Sequence, residues 1–133
     1  MAYAHFTFDT TAFIDSDAAR SQSINDQSGH SLAAWLMTRL QAAGIDAGDV
    51  MAEDHGWDFT VAHKGAKYVC ACSANDGDMP FEAHVTISKS RSIRDRLRGR
   101  NPFTEDDPVL TAIDAALRGS SDVTKLEREP ISK

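Results

Sequence analysis

The sequence predicts an α+β fold: a single antiparallel β-meander of about four to five strands with two amphipathic helices packed on one face, forming a two-layer sandwich. Three observations support this prediction. Several segments alternate apolar and polar residues, as half-buried strands do. Two segments repeat apolar residues at helical spacing, and short turn-forming sequences separate the strands. With 133 residues, 41% of them hydrophobic, the chain can bury one core, so one domain over residues 1–133 is expected.

The N-terminal part predicts one strand, one loop and one helix. Alternation of Phe6 and Phe8 with polar residues predicts a strand from residue 3 to 9, and the polar stretch 15–27 predicts a loop. The first helix follows Ser28 and Ser31, either of which can cap it by accepting a backbone N–H, and it ends at Gly44. Its apolar stripe consists of Leu32, Leu36, Leu40 and Ala43.

Two hairpins are predicted next. The strand 49–54 precedes His55-Gly56, a two-residue turn in which glycine provides positive φ. Strands 57–63 and 67–73 form the second hairpin around Gly65. A two-residue loop, at either Lys64-Gly65 or Gly65-Ala66, puts the apolar residues of both strands on one face. A three-residue loop would turn the apolar residues of one strand to the opposite face, so we favour the shorter loop. That inner face consists of Trp57, Phe59, Val61, Tyr68, Cys70 and Cys72.

The C-terminal part completes the fold. Residues 74–79 predict a turn and 81–88 a strand with Glu82, His84 and Thr86 pointing outward. The polar segment after it predicts a loop with one helical turn around residues 93–97. The second helix begins at Asp107-Pro108, with Thr104 as an alternative cap, and ends at Gly119. Residues 123–126 predict an edge strand, and the tail from about residue 128 is expected to fray.

The charge distribution is uneven. The net charge is −6, yet Lys89 to Arg100 contains six of the 14 basic residues and one of the 20 acids, Asp95. An acidic chain is not expected to bind nucleic acid or anionic membrane over its whole surface. The chain has no signal-peptide pattern and no long apolar stretch, so a cytoplasmic protein is expected. Cys70 and Cys72 lie on the same face of one strand, which predicts free thiols.

The first candidate site is the acidic turn formed by Glu53, Asp54, His55 and Asp58. A histidine flanked by carboxylates can act as a general base, so His55, Asp54 and Asp58 are the catalytic candidates. Turns are also rich in such residues simply because turns are solvated. We therefore leave both interpretations open for this turn.

Other catalytic and cofactor motifs are not supported. His63, Cys70, Cys72 and His84 do not have the spacing of zinc ligands, and His84 is predicted on the opposite sheet face from the cysteines, so no metal is predicted. Ser28 to Ser31 contains no nucleophile elbow, and the chain has neither a dinucleotide-binding glycine motif nor a P-loop. No cofactor is predicted.

The second candidate site is the arginine segment. Arg91, Arg94, Arg98 and Arg100 could bind a small anion, a nucleic-acid backbone or an acidic protein. Alternatively, they pair with the chain's own acids, among them Asp54, Asp58 and residues 105–107, or simply solvate a loop. Stacking aromatic residues are not interleaved with the arginines, which disfavours binding to single-stranded nucleic acid.

A short resemblance involves the acidic turn. The segment EDHGWDFTV, residues 53–61, resembles part of some small bacterial α+β proteins, including toxin-immunity proteins. The resemblance is confined to these residues and brings no catalytic residue, so it assigns no family.

Three functions from different classes follow from these candidates. We favour a non-catalytic binding or interaction protein, for example of the immunity type, that binds a protein partner or a second copy of itself. The candidate binding residues are Glu53, Arg91, Arg94, Arg98 and Arg100. The first alternative is a small hydrolase with His55 as base, Asp54 or Asp58 orienting it, and Arg91 or Arg94 holding an anionic substrate. The second alternative is an anion- or nucleic-acid-binding module. Self-association could use Thr60, Ala62, Val69 and Ala71 on the outer sheet face.

Overall fold

The computed structural model describes residues 2–75 and 77–132; Asp76, inside the turn predicted at 74–79, lies outside the described residues. Within them, the fold is α+β with six antiparallel strands and four helices, more elements than the sequence predicts. In chain order, the elements are β1 (Tyr3–Thr10), α1 (Asp17–Gln22), α2 (His30–Ala42), β2 (Asp46–Glu53), β3 (Gly56–His63), β4 (Ala66–Ala74), β5 (Phe81–Ser90), α3 (Ile93–Arg98), α4 (Pro108–Arg118) and β6 (Thr124–Arg128).

The strands form one open sheet in the order β2-β3-β4-β5-β1-β6. Strands β2 to β5 form the predicted meander, but β1 lies between β5 and β6 and pairs antiparallel with both. The simple meander prediction is therefore incomplete. Local alternation identifies β1 as a strand, but its partners are distant in sequence, and alternation contains no information about which strand pairs with which.

The register of the second hairpin is confirmed. Phe59 pairs with Cys70, and His63 pairs with Ala66 across a loop of Lys64 and Gly65. Both loop residues have positive φ, 48° and 80°, as the commonest two-residue hairpin loop requires. The inner face of β3 and β4 is consequently continuous and buried, as predicted.

The first hairpin differs from its prediction. Glu53 pairs with Gly56, so Asp54 and His55 form the loop, and Gly56 is the first residue of β3 rather than part of the turn. The strand before it also begins earlier, at Asp46, and contains a bulge between Gly48 and Met51. Gly56 has φ of 146°, and an ideal Cβ there would lie 2.2 Å from the backbone oxygen of Cys72 in β4, so a glycine is required in the strand and not in the turn.

The start of α2 also differs from its prediction. The N-cap is Gly29, not Ser28 or Ser31, and the capping carboxylate comes from Asp15, which is buried. Asp15 accepts hydrogen bonds from the backbone N–H groups of Gly29, His30 and Ser31 at 3.1, 3.2 and 2.8 Å. The segment 15–27, predicted as a loop, contains the short helix α1. Its first residue, Asp15, places a carboxylate at the positive end of α2.

Two helices contribute to the core beside the inner sheet face. Leu32, Leu36 and Leu40 of α2 are fully buried, although Ala43, predicted in the same stripe, is exposed. Asp107 caps α4 with Pro108 at the first helical position, as predicted. Buried residues of α4, α2 and the strands form one cluster. The outward residues of the central strands β4, β5 and β1 stay exposed or half-buried.

The C-terminal segment is hydrogen-bonded to β1. The backbone N–H of Glu129 donates to His5, and Tyr3 and Ser132 exchange two backbone hydrogen bonds of 2.9 and 3.0 Å. Residues 129–132 therefore extend the edge of the sheet, where the sequence predicts fraying. None of the helices described is both long and apolar enough to cross a bilayer.

Candidate functional site

The acidic turn lies at one end of the sheet. His55 Nε2 and Asp58 Oδ1 are 2.5 Å apart, so the histidine and one carboxylate do form a dyad, as the catalytic interpretation requires. Asp54 and His55 are exposed and Glu53 and Asp58 are half-buried, and Met51 beside them is 53% exposed. The turn is thus an open acidic surface with one apolar side chain.

The arginine segment lies at the opposite end of the sheet. Trp57, next to the turn, pairs with Cys72, whereas Ser90, just before the arginines, pairs with Lys67. The five-residue separation along β4 corresponds to about 17 Å at ~3.4 Å per residue. The structure does not bring His55 and the arginines together, so the combination that the hydrolase alternative needs is not formed within one chain.

Much of the arginine segment is helical. Ser92 caps α3 by accepting from the N–H of Asp95, and none of the residues of α3 is buried. Within the described part of the chain, Arg91, Arg94, Arg96, Arg98 and Arg100 make no ion pair with a carboxylate. Arg91 donates instead to the backbone oxygen of Arg100 at 3.0 Å. Nearby acids have other partners, since Glu105 pairs with Arg128 and Asp107 with Lys89. The alternative that these arginines pair with the chain's own acids is therefore not seen.

A buried polar network lies beside α3. Lys89 is 9% exposed, and its Nζ is 3.1 Å from Asp107 Oδ2, which also accepts from the hydroxyl of Tyr68 at 2.9 Å. The other oxygen of Asp107 accepts the N–H groups of Val109 and Leu110. One carboxylate therefore connects β4, β5 and the start of α4.

A cavity of about 400 Å³ opens next to this network. Its charged lining residues are Lys89, Arg91 and Arg96, and its remaining lining is formed by Ala2, Ser90, Pro102, Phe103 and Thr104. The lining contains no carboxylate. The charged side chains of this lining are thus all cationic, in a chain whose net charge is −6.

A second polar cluster lies on the outer sheet face. His84 Nε2 is 2.8 Å from Glu82 Oε1, His84 Nδ1 is 3.1 Å from His5 Nε2, and His5 Nδ1 is 2.8 Å from Thr86 Oγ1. One assignment of protons satisfies all three contacts: each histidine is neutral with its proton on Nε2, and the threonine hydroxyl donates to His5. A smaller cavity of about 220 Å³ adjoins His84.

This cluster can relay a proton, but the strand that bears Thr86 and His84 has its backbone N–H groups engaged in the sheet. Attack by the Thr86 hydroxyl on a carbonyl would need N–H donors for the developing oxyanion. Strand β5 is paired on both sides, with β4 and β1, so its backbone N–H groups are used in the sheet. The cluster therefore supports a structural role better than acyl transfer.

The two cysteines are free and buried in the core. Burial, together with the neighbouring Cys72, raises the pKa of the Cys70 thiol well above its usual value. Burial, then the hydrogen bond to Asp107 and its charge, also raises the pKa of Tyr68. Among residues 2–75 and 77–132, no group of three or more His, Cys, Asp and Glu side chains is placed to hold a metal ion.

These two raised pKa values predict a loss of stability at alkaline pH. A group whose folded pKa lies above its unfolded pKa stabilises the fold fully below the unfolded value, and that stability is lost as pH rises toward the folded value. We expect the free energy of unfolding to fall above about pH 8.5 through Cys70 and further above about pH 10 through Tyr68, by ~1.4 kcal/mol per pH unit per group. Urea unfolding across pH 7 to 11 measures this slope.

The matched variant for this measurement is the double substitution Cys70→Ala with Tyr68→Phe. Its stability at neutral pH will be lower, so the comparison concerns the slope against pH alone. We expect the double variant to lose most of the alkaline slope. An unchanged slope would show that other groups cause the alkaline unfolding.

Neither the cavity at Lys89 nor the histidine cluster is predicted by the sequence. Glu82, His84 and Thr86 were predicted to point outward, but their contact with His5 depends on the pairing of β1 with β5. Lys89 and Arg96 belong to the basic segment, but the sequence assigns neither of them a separate role. The placement of Lys89, buried and paired with an acid 18 residues further on, follows from packing.

No protein-family model matches the chain, and a search of curated proteins finds no relative.

Proposed function

We propose that this chain is a non-catalytic interaction protein that binds an acidic protein surface through α3. The observation that carries the proposal is the set of arginines without a carboxylate partner in the described chain, around two exposed apolar side chains. Ile93 and Leu97 are 70% and 83% exposed. Exposed apolar residues next to arginines are typical of interaction surfaces.

The exposed residues of α3 lie on one side of the helix. At about 100° per residue, Ile93, Leu97, Arg94 and Arg98 fall within one ~140° sector, which we call the arginine face. Arg96 and Asp95 lie outside this sector. A partner complementary to the arginine face would offer carboxylates and an apolar side chain or groove.

A second copy of the chain offers such a surface. Glu53, Asp54 and the exposed Met51, which we call the acidic end, combine carboxylates with an apolar side chain. Because the arginine face and the acidic end lie at opposite ends of the sheet, they can meet only between copies. The resulting contact is head to tail, and it joins two different surfaces.

The expected association is weak. Exposed ion pairs contribute about 0.2–1 kcal/mol each, and Ile93 and Leu97 contribute about 1.5–3 kcal/mol each if they are fully buried. After the entropic cost of association, we expect a dissociation constant on the order of 0.1 mM. Association should weaken as salt is raised, because the charges are solvent-exposed.

Charge reversal tests this proposal. We expect Arg94→Glu with Arg98→Glu, and separately Glu53→Lys with Asp54→Lys, to abolish self-association, since each variant brings like charges together. An equimolar mixture of the two variants should restore association, because each then meets the opposite charge on the other. Sedimentation velocity from 10 µM to 1 mM protein, a range set by the affinity on the order of 0.1 mM, measures both results.

The control is Lys64→Glu with Lys67→Glu, which makes the same charge change at exposed positions near the same end of the sheet. This variant should associate as the unchanged chain does. A chain that stays monomeric throughout, or a mixture that fails to associate, contradicts the second copy as partner. The chain could instead be monomeric and bind a purified acidic protein that does not bind the Arg94→Glu, Arg98→Glu variant. In that case, the acidic protein replaces the second copy as the partner.

A further inference from the structure

We infer that the cavity lined by Lys89, Arg91 and Arg96 is a binding site for a small organic phosphate monoester. This inference concerns the other side of α3 from the arginine face. It does not depend on the protein partner proposed above.

The charge of the cavity favours a dianion. The charge of Lys89 is neutralised by Asp107, whose Oδ2 lies 3.1 Å from Lys89 Nζ. Arg91 and Arg96 have no carboxylate partner among the described residues. Two cationic charges therefore remain uncompensated in a lining that contains no acid. A phosphate monoester carries about two negative charges at neutral pH, since its second pKa is about 6.

The donors of the cavity suit a phosphoryl group. Guanidinium groups bind phosphate oxygens through paired N–H donors, and an ammonium adds a compact charge. Lys89 has three N–H donors. It is hydrogen-bonded to Asp107 and, at 3.5 Å, to the backbone oxygen of Pro102, which leaves one donor for a ligand. The hydroxyl groups of Ser90 and Thr104 lie in the same lining.

The position of Lys89 is fixed in advance. Its Nζ lies 5.5 Å from the centre of the Tyr68 ring, and the side chain is nine-tenths buried. A cation already held in place loses little conformational entropy when a ligand binds. Arg91 is also restrained, because its Nη1 donates to the backbone oxygen of Arg100 at 3.0 Å.

The size and apolar lining favour an organic ester over free phosphate. The cavity volume is about 400 Å³, larger than a phosphate ion needs, and Ala2, Pro102 and Phe103 provide apolar surface. A small carbon group attached to the phosphate would contact this surface. The ligand class is therefore a phosphate monoester with a compact, partly apolar organic group.

Isothermal titration of the full chain with phenyl phosphate, inorganic phosphate and phenol tests the inference. We expect phenyl phosphate to bind about tenfold more tightly than inorganic phosphate, because its ring contacts apolar surface, and phenol to show no binding. Binding of phenyl phosphate should strengthen from pH 5 to pH 7 as the second proton, of pKa about 6, is lost. Succinate binding more tightly than phenyl phosphate would overturn the phosphate class.

The decisive variants are Arg96→Gln and its control Arg94→Gln. Both residues are exposed on α3, so both variants should fold, whereas changing Lys89 would leave Asp107 buried without its cation. We expect Arg96→Gln to weaken phenyl phosphate binding about tenfold or more and Arg94→Gln to leave it unchanged. Equal weakening by both variants would show attraction to the general positive charge and no site, and absence of binding to the unchanged chain would overturn the inference.

Discussion

Replacing Gly56 by alanine should destabilise the fold by about 3 kcal/mol or more. An ideal Cβ at this position would lie 2.2 Å from the backbone oxygen of Cys72, and the residue has φ of 146°. Cys72 cannot move away, because β4 is paired with β3 and β5 on its two sides. Urea unfolding followed by circular dichroism measures the change in the free energy of unfolding.

The control is Gly48→Ala, in the neighbouring strand β2. A Cβ at Gly48 would have no atom within 4 Å, and Gly48 does not have positive φ. We expect a change below about 1 kcal/mol there, since neither strain nor overlap arises. If Gly56→Ala were no more destabilised than Gly48→Ala, the close packing of β3 on the Cys72 carbonyl would be refuted.

The second large effect is expected for Asp107→Ala, which should cost about 4 kcal/mol. The substitution removes the partner of the buried Lys89, the acceptor of the Tyr68 hydroxyl and the cap of α4. The buried ammonium without a counter-charge accounts for most of the cost, because a buried charge is far less stable than a solvated one. Thermal and urea unfolding measure this loss.

Two further variants separate the contributions of Asp107. Asparagine can still cap a helix, so Asp107→Asn tests mainly the charge facing Lys89. Tyr68→Phe removes only one hydrogen bond and should cost about 1 kcal/mol. We expect the loss in free energy of unfolding for Asp107→Asn to lie between the losses for Tyr68→Phe and Asp107→Ala. An Asp107→Asn variant as stable as the unchanged chain would show that the Lys89 pair adds little to stability.

The candidate sites show how function prediction depends on pairing. The acidic turn and the arginine segment were both identifiable from composition, and His55 and Asp58 do form a contact. The separation of the two sites cannot be read from the sequence, because it results from the combined registers of the β3–β4 and β4–β5 pairs. The cavity at Lys89 likewise depends on where α4 packs, which places Asp107 against β5.

The sequence by itself determined the α+β class, the second hairpin with its register, the two core helices and the cap of α4. These features depend on residues close in the chain, whose periodicity and capping chemistry act locally. Tertiary structure alone decided that β1 lies between β5 and β6, that Asp15 caps α2, and that Gly56 presses on Cys72. The pairing of β1 joins segments far apart in sequence, and the other two contacts join residues 14 or more positions apart. Local periodicity contains no information about such contacts, which form only when the folded chain packs together.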